Sequence, residues 1–202
     1  MKTSLARSAA AGVLICMGCI VNLKVGGGIP GAILFSAGLW FVVNFDAELF
    51  TGRVTQSRYA PLQRLLMLLM NVLGAGLCGL LASVFLPEIA DSAVTIASAY
   101  ADPLKVLWQS VMCGVCMYLA TAWPPTPRQT PSSSLERLPF VIYGVALFIL
   151  SGYGHSIALA GYAALARAIR WWVIPLAALG NALGSYLIRW LLSPDTVPWR
   201  KQ

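Results

Sequence analysis

Apolar residues fall into six long runs, over residues 9–23, 29–50, 62–86, 104–123, 138–163 and 171–192. A bilayer-spanning helix needs about 20 mostly apolar residues, so each run predicts one crossing. Gly26, Gly27, Gly28 and Pro30 separate the first two runs, and residues 52–61 separate the second from the third. Residues 87–103 read as a longer acidic loop, and residues 124–137, rich in Pro, Ser and Thr, as an exposed connection. Two runs carry residues that interrupt a helix. The second ends in Asn44-Phe45-Asp46-Ala47-Glu48-Leu49-Phe50-Thr51-Gly52, and the fifth contains Ser151-Gly152-Tyr153-Gly154-His155-Ser156. Carboxylates at membrane depth need a partner or a cavity. Paired glycines weaken a helix, and non-helical backbone there must be buried in protein or line water.

Composition supports the same class. The 202-residue chain is 58% hydrophobic and 10% charged, where a soluble domain carries about 25% charged residues. One membrane domain over residues 1–202 is expected, with nothing left for a soluble one. The net charge of +7 reads as basic residues kept in cytoplasmic loops; no basic stripe interleaved with aromatics suggests nucleic acid. With a cytoplasmic N-terminus, Lys24, Lys105, Arg167 and Arg170 lie outside, beside Glu88, Asp91 and Asp102. The other ten of the 14 Lys and Arg residues, Lys2, Arg128, Arg200 and Lys201 among them, lie inside. Both termini are therefore expected in the cytoplasm of a bacterial-type inner membrane. Lys2 and Arg7 precede the first run as in a secretory signal, but no A-x-A-like site follows. The run is read as the first membrane helix.

Cys16/Cys19 and Cys113/Cys116 have CxxC spacing, yet these pairs and Cys78 sit in apolar runs with no His, Asp or Glu beside them. Buried Cys behaves as a small hydrophobe, so neither metal nor redox chemistry is expected. Asp46 and Glu48 lie two residues apart, on different faces of a helix. They are read as bonding the free backbone N–H groups of a helix break rather than as a catalytic pair. Gly74, Gly76, Gly79, Gly180 and Gly184 suit close helix packing, the last two as GxxxG.

The two halves echo each other: Asn71-Val72-Leu73-Gly74 in the third run matches Asn181-Ala182-Leu183-Gly184 in the sixth, each following an interrupted run. With three helices per half, the repeats are inverted across the membrane. Paired interrupted segments in inverted halves point to a midplane transport site.

The segments Gly31-Ala32-Ile33-Leu34-Phe35-Ser36-Ala37-Gly38-Leu39 and Ala47-Glu48-Leu49-Phe50-Thr51-Gly52 resemble the signature of the formate/nitrite transporter family. Phe148-Ile149-Leu150-Ser151-Gly152-Tyr153-Gly154-His155-Ser156 resembles that family's second signature, around its pore histidine, and Gly180-Asn181-Ala182-Leu183-Gly184 agrees in order and spacing. The resemblance implies an all-α, aquaporin-like fold of six transmembrane helices in an inverted 3+3 repeat, the second and fifth helices broken. It further implies a homopentamer with one pore per protomer, for formate, nitrite, hydrosulfide or related small monovalent anions or their weak acids. By position, Phe35 and Leu39 would form the cytoplasmic constriction, and Leu49, Phe50 and Phe148 the other one. His155 would be the central histidine and Thr51 the loop hydroxyl that contacts it, with Glu48, Gly152 and Gly154 structural at the breaks. The sequence departs from the family pattern at Gly154 (usually Glu), Leu159 and Gly114 (usually Asn), near Ser98 (usually Lys) and at Arg53 (often Asn).

His155 is the chain's single histidine, and an ionisable residue at a break inside a membrane segment is a functional residue by default. Burial disfavours charge, so the expectation is a neutral ring that donates a hydrogen bond to an anion or passes it a proton. A bare anion in a narrow apolar passage faces a heavy desolvation cost; its conjugate acid does not. A neutral-solute channel of aquaporin type and a non-transporting membrane scaffold are the competing classes, the first disfavoured by the lack of an Asn-Pro-Ala pair. No cofactor, metal site or enzymatic residue set is expected.

Overall fold

The structure is a computed structural model that describes residues 4–122, 131–168, 170 and 172–192, with backbone alone for residues 131–134. Lys2, Arg128, Arg200, Lys201 and residues 124–130 of the expected connection lie outside the described residues. All regular structure among the described residues is helical: α1 (Leu5–Lys24), α2 (Gly28–Asn44), α3 (Phe50–Arg53), α4 (Pro61–Phe85), α5 (Ala90–Ser98), α6 (Pro103–Thr121), α7 (Pro131–Leu150), α8 (Ser156–Leu165) and α9 (Val173–Leu191). By length and composition α1, α4 and α6 can each cross a membrane, and α2 and α8 are shorter apolar helices.

Local chemistry sets the ends. Ser4 caps α1 by accepting from the Arg7 amide. After Lys24 the chain turns through Gly26 and Gly27 at φ of 76° and 75°, a region that suits a residue without Cβ. Asp102 caps α6, accepting from the Leu104 and Lys105 amides, with Pro103 in the first turn.

Two predicted loops contain helix. Residues 90–98 of the acidic loop form α5, which seats Ala93 against the core and packs on α8. The connection expected to run to residue 137 is helical from Pro131, since proline's fixed φ suits a first helical position.

The bundle is organised around two equivalent crossings, α1 with α4 and α6 with α9. In each, a glycine lets one backbone rest on the other. A Cβ on Gly12 would stand 2.1 Å from the Asn71 carbonyl oxygen, and one on Gly114 2.2 Å from that of Asn181. Facing them, a Cβ on Gly74 would stand 2.1 Å from Ala9 O and one on Gly184 1.9 Å from Val111 O. Gly79 and Gly180 are similarly enclosed, but Gly76 has nothing within 4 Å and is no packing position. The side chains of Leu65, Leu69, Leu73, Leu77, Leu80 and Leu81 face outward along α4, as a lipid or a second subunit requires. At one end of the bundle Lys24 pairs with Glu88 and holds its carboxyl below the usual carboxylate range. At the opposite end Arg7 pairs with Asp46 at 2.7 Å.

Candidate functional site

The backbone leaves the helix twice, between α2 and α3 and between α7 and α8. Each break is held by the asparagine of the helix that follows it in its half. Asn71 Oδ1 accepts from the Phe50 amide at 2.7 Å, and its Nδ2 donates to Glu48 O at 2.8 Å and Ser8 O at 2.7 Å. Asn181 Oδ1 accepts from the Ser156 amide at 2.9 Å, and its Nδ2 donates to Gly154 O and Ser110 O, both at 2.8 Å. Each carboxamide thus satisfies the first amide of the short helix and the last carbonyl before its N-cap, groups a broken helix leaves without partners. Both asparagines are fully buried, where bare polar groups are costly. Sequence reading found the two Asn-x-Leu-Gly motifs but not this role.

The residues at the N-caps are thereby brought to the centre of the protein. His155 caps α8: its Nδ1 accepts from the Ala158 amide at 3.1 Å. Thr51, in the first turn of α3, lies 2.8 Å from His155 Nε2 through its Oγ1. The tautomer follows from these partners. With Nδ1 accepting, a neutral ring carries its proton on Nε2 and donates it to Thr51 Oγ1. The Thr51 hydroxyl proton is then free for another acceptor. His155 is 2% exposed, so whatever reaches it meets little water.

Phe148 stacks on the His155 ring, with centroids 5.5 Å apart and planes at 22°. Its other side meets Phe35 edge-on, at 5.6 Å and 87°. The resemblance placed Phe35 and Phe148 in opposite constrictions; they are in contact, because α2 packs against α7. Leu39 and Leu49 are buried in the same apolar cluster as Phe35 and Phe148. Phe50 belongs to a separate cluster with Tyr59, Met67 and Ala178.

The carboxylates also differ from expectation. Glu48, 1% exposed, does not bond the free amides at its own break; Asn71 serves there. Its Oε2 accepts from the Ser4 amide at 2.9 Å and from Ser8 Oγ at 3.3 Å, so it ties the start of α1 to the break. Asp46, at φ 53°, accepts from Arg53 at 2.6 Å. The buried Arg53 guanidinium also donates to Tyr59 Oη, Asp46 O and Ala47 O, making it the clamp of the segment between α2 and α3.

A cavity of about 210 Å³ opens beside the histidine, lined by His155, Phe148, Gly152, Gln109, Tyr162 and Asn22 among others. It lies toward the end of the bundle that carries Lys24 and Lys105. Asn22 Nδ2 donates to Tyr162 Oη at 2.9 Å, and Tyr100 Oη donates to Gly152 O at 3.2 Å. Sequence reading missed Asn22, Gln109 and Tyr162. The available signal was that each is polar and falls in or beside an apolar run, where polar side chains need partners or water.

The family model described as formate/nitrite transporter matches residues 1–193. The chain belongs to the formate/nitrite transporter family. Among solved structures it is similar to a "pentameric formate channel with formate bound", at TM-score 0.73 and 18% identity over 93% of each chain. It is also similar to an "FNT family ion channel", at TM-score 0.72 and 21% identity over 94% of this chain and 90% of that one. No curated protein sequence matches. This formate/nitrite transporter family member is thus a multi-pass, all-helical membrane transport protein and not an enzyme.

Packing explains three of the departures from the family pattern. Gly114 carries no side chain because it lies against the Asn181 carbonyl, in the same crossing role as Gly12. A Cβ on Gly154 would stand 2.8 Å from Ser110 Oγ and 3.2 Å from the Tyr100 ring, leaving no path for a glutamate. Leu159 packs with Tyr100, Val106, Val173 and Ala177. At Leu159 an apolar side chain thus stands where the family pattern usually has asparagine.

Proposed function

We propose that the protein is a channel for small monovalent anions or their conjugate weak acids, of the formate, nitrite and hydrosulfide class. The observation that carries this reading is the 2.8 Å contact between Thr51 Oγ1 and His155 Nε2, made by two helix breaks and overlaid by Phe148. The α8 N-terminus contributes positive dipole at that point, which favours an approaching anion over a neutral solute. The Thr51 hydroxyl can donate a hydrogen bond to the solute while the neutral ring keeps its Nε2 proton. A proton taken from water at the pore mouth converts the anion to its neutral acid, which crosses the apolar stretch at Phe35, Leu39 and Phe148 without the anion's desolvation cost. Larger or permanently charged ions have no such route.

The reading includes six crossings, counting α2 with α3 and α7 with α8 as one broken helix each, and a single channel domain with both termini cytoplasmic in a bacterial-type inner membrane. It also includes a homopentamer, supported by the similar pentameric formate channel and by the outward-facing leucines of α4.

The test is uptake of formate, nitrite, hydrosulfide and acetate into proteoliposomes from about pH 5 to about pH 8, the range in which an unperturbed imidazole titrates. His155→Phe abolishes uptake while assembly is kept. His155→Asn keeps a donor but removes the titrating group, so uptake survives with an altered pH profile. Identical flux and pH profile in all three proteins would make His155 a packing residue and end the proposal.

A further inference from the structure

Gln109 forms part of the cavity wall described above but has been given no role there. Its side chain lines the cavity beside His155. Oε1 is buried with no hydrogen-bond partner, and no hydrogen bond from the carboxamide nitrogen is present among the described residues. Nε2 lies 3.9 Å from where a Cβ on Gly152 would stand, so the glycine leaves the space before the carboxamide open. The nearby Gly152 carbonyl is already taken by Tyr100. Tyr162 is engaged with Asn22 Nδ2, and His155 through both ring nitrogens; Asn22 Oδ1 is also buried without a partner, but it is turned toward Gly31 of α2. No Asp, Glu, Lys or Arg lines it. Gln109 is a half-buried residue, but a buried polar atom without a partner is costly and calls for an explanation, and the adjoining cavity supplies one.

We propose that Gln109 is a specificity-determining residue that recognises a small oxyacid in its protonated, uncharged form. The inference rests on reading the protein as a weak-acid channel. A carboxamide presents one donor face and one acceptor face side by side. A protonated carboxylic or nitrous acid carries the complementary pair. Its second oxygen accepts from Nε2, which faces the space at Gly152. Its O–H donates to Oε1, which is enclosed and is brought to the cavity by a turn of the carboxamide about its last torsion. Either flip of the amide offers one donor and one acceptor. The anion lacks the proton; its oxygens can meet Nε2 but confront the Oε1 lone pairs. With no fixed cation among the described residues of the cavity wall, only the partial charge of the α8 N-terminus offsets that repulsion. The cavity therefore holds the neutral acid in preference to its anion beside the Phe148–His155 pair, in the form that the apolar passage admits.

Formamide tests this, because it is neutral, of formic acid size, and has the same adjacent donor and acceptor. N,N-dimethylformamide keeps the acceptor and lacks the donor. In proteoliposomes, formamide competitively inhibits formate uptake by the wild type, and N,N-dimethylformamide does not. Gln109→Met, close in shape but without hydrogen bonds, raises both the inhibition constant for formamide and the KM for formate about tenfold, the worth of one to two net hydrogen bonds. Its oligomer on size exclusion and its thermal midpoint match the wild type, which shows that the variant is folded. Gln109→Asn recovers part of the inhibition. Equal inhibition of wild type and Gln109→Met, or none in a wild type that takes up formate, overturns the role of Gln109 and leaves the channel reading standing. A wild type that takes up neither formate nor nitrite overturns both.

Discussion

Replacing Asn181 removes the clamp on the second helix break without touching the pore. In Asn181→Ala the Ser156 amide and the Gly154 carbonyl lose their partner. The Ser110 carbonyl, inside α6, keeps the intrahelical bond of its turn. Each buried backbone group left bare costs about 1–3 kcal/mol, so two give roughly 2–6 kcal/mol. Interhelical hydrogen bonds measured in a membrane average about 0.6 kcal/mol, and three of those set a floor near 2 kcal/mol. We expect a loss of about 3 kcal/mol. His155 is the N-cap of the helix that loosens, so its ring should wander from Thr51 and formate uptake should fall with stability. Asn181→Asp is the sharper variant, since it keeps the acceptor for Ser156 but turns an oxygen toward two carbonyls; it should be at least as unstable as Asn181→Ala. The assay is equilibrium unfolding in mixed micelles, with proteoliposome uptake in parallel. Leu183→Ala, two residues along and half exposed, is the control. If Asn181→Ala were no less stable than Leu183→Ala, the clamp would be a geometric coincidence, and the reasoning that places His155 through it would fail.

Asn71 makes the same three bonds at the other break, so Asn71→Ala should lose a similar amount in the same unfolding titration, with Thr51 rather than His155 displaced. Gly114→Asn restores the family's usual residue but drives a Cβ to 2.2 Å from the Asn181 carbonyl; it should destabilise by about 1–3 kcal/mol, as overpacking does, and a variant as stable as wild type would refute the crossing role. Arg53→Leu strips the clamp from Asp46, Tyr59 and the Ala47 carbonyl; since Asp46 is partly exposed and keeps Arg7, the loss should be about 1–3 kcal/mol, that of buried acceptors left without a donor, measured as a fall in thermal midpoint.

The sequence by itself determined the class of protein, the positions of the interruptions and the internal echo. Apolar run length, glycine punctuation and the recurrence of Asn71-Val72-Leu73-Gly74 as Asn181-Ala182-Leu183-Gly184 are properties of neighbouring residues. They follow from local physics: a bilayer rewards continuous apolar helix, and glycine weakens it where it falls. His155 was legible for the same reason, as the ionisable residue at an interruption, whereas Thr51 was named only through the family resemblance. Tertiary structure alone decided which atoms meet. Asn181 reaches back 71 residues to Ser110 and Thr51 reaches across 104 residues to His155, and no periodicity encodes such partners. Phe35 and Phe148 could be assigned to different constrictions from sequence because nothing local says that α2 packs on α7. Gly114 looked like a missing asparagine until the Asn181 carbonyl was found against it. Nothing in the sequence reading set Gln109 apart; only the cavity before it does. Whether a buried polar group is satisfied, and by what, depends on the surfaces brought against it, and those are fixed only when the helices pack.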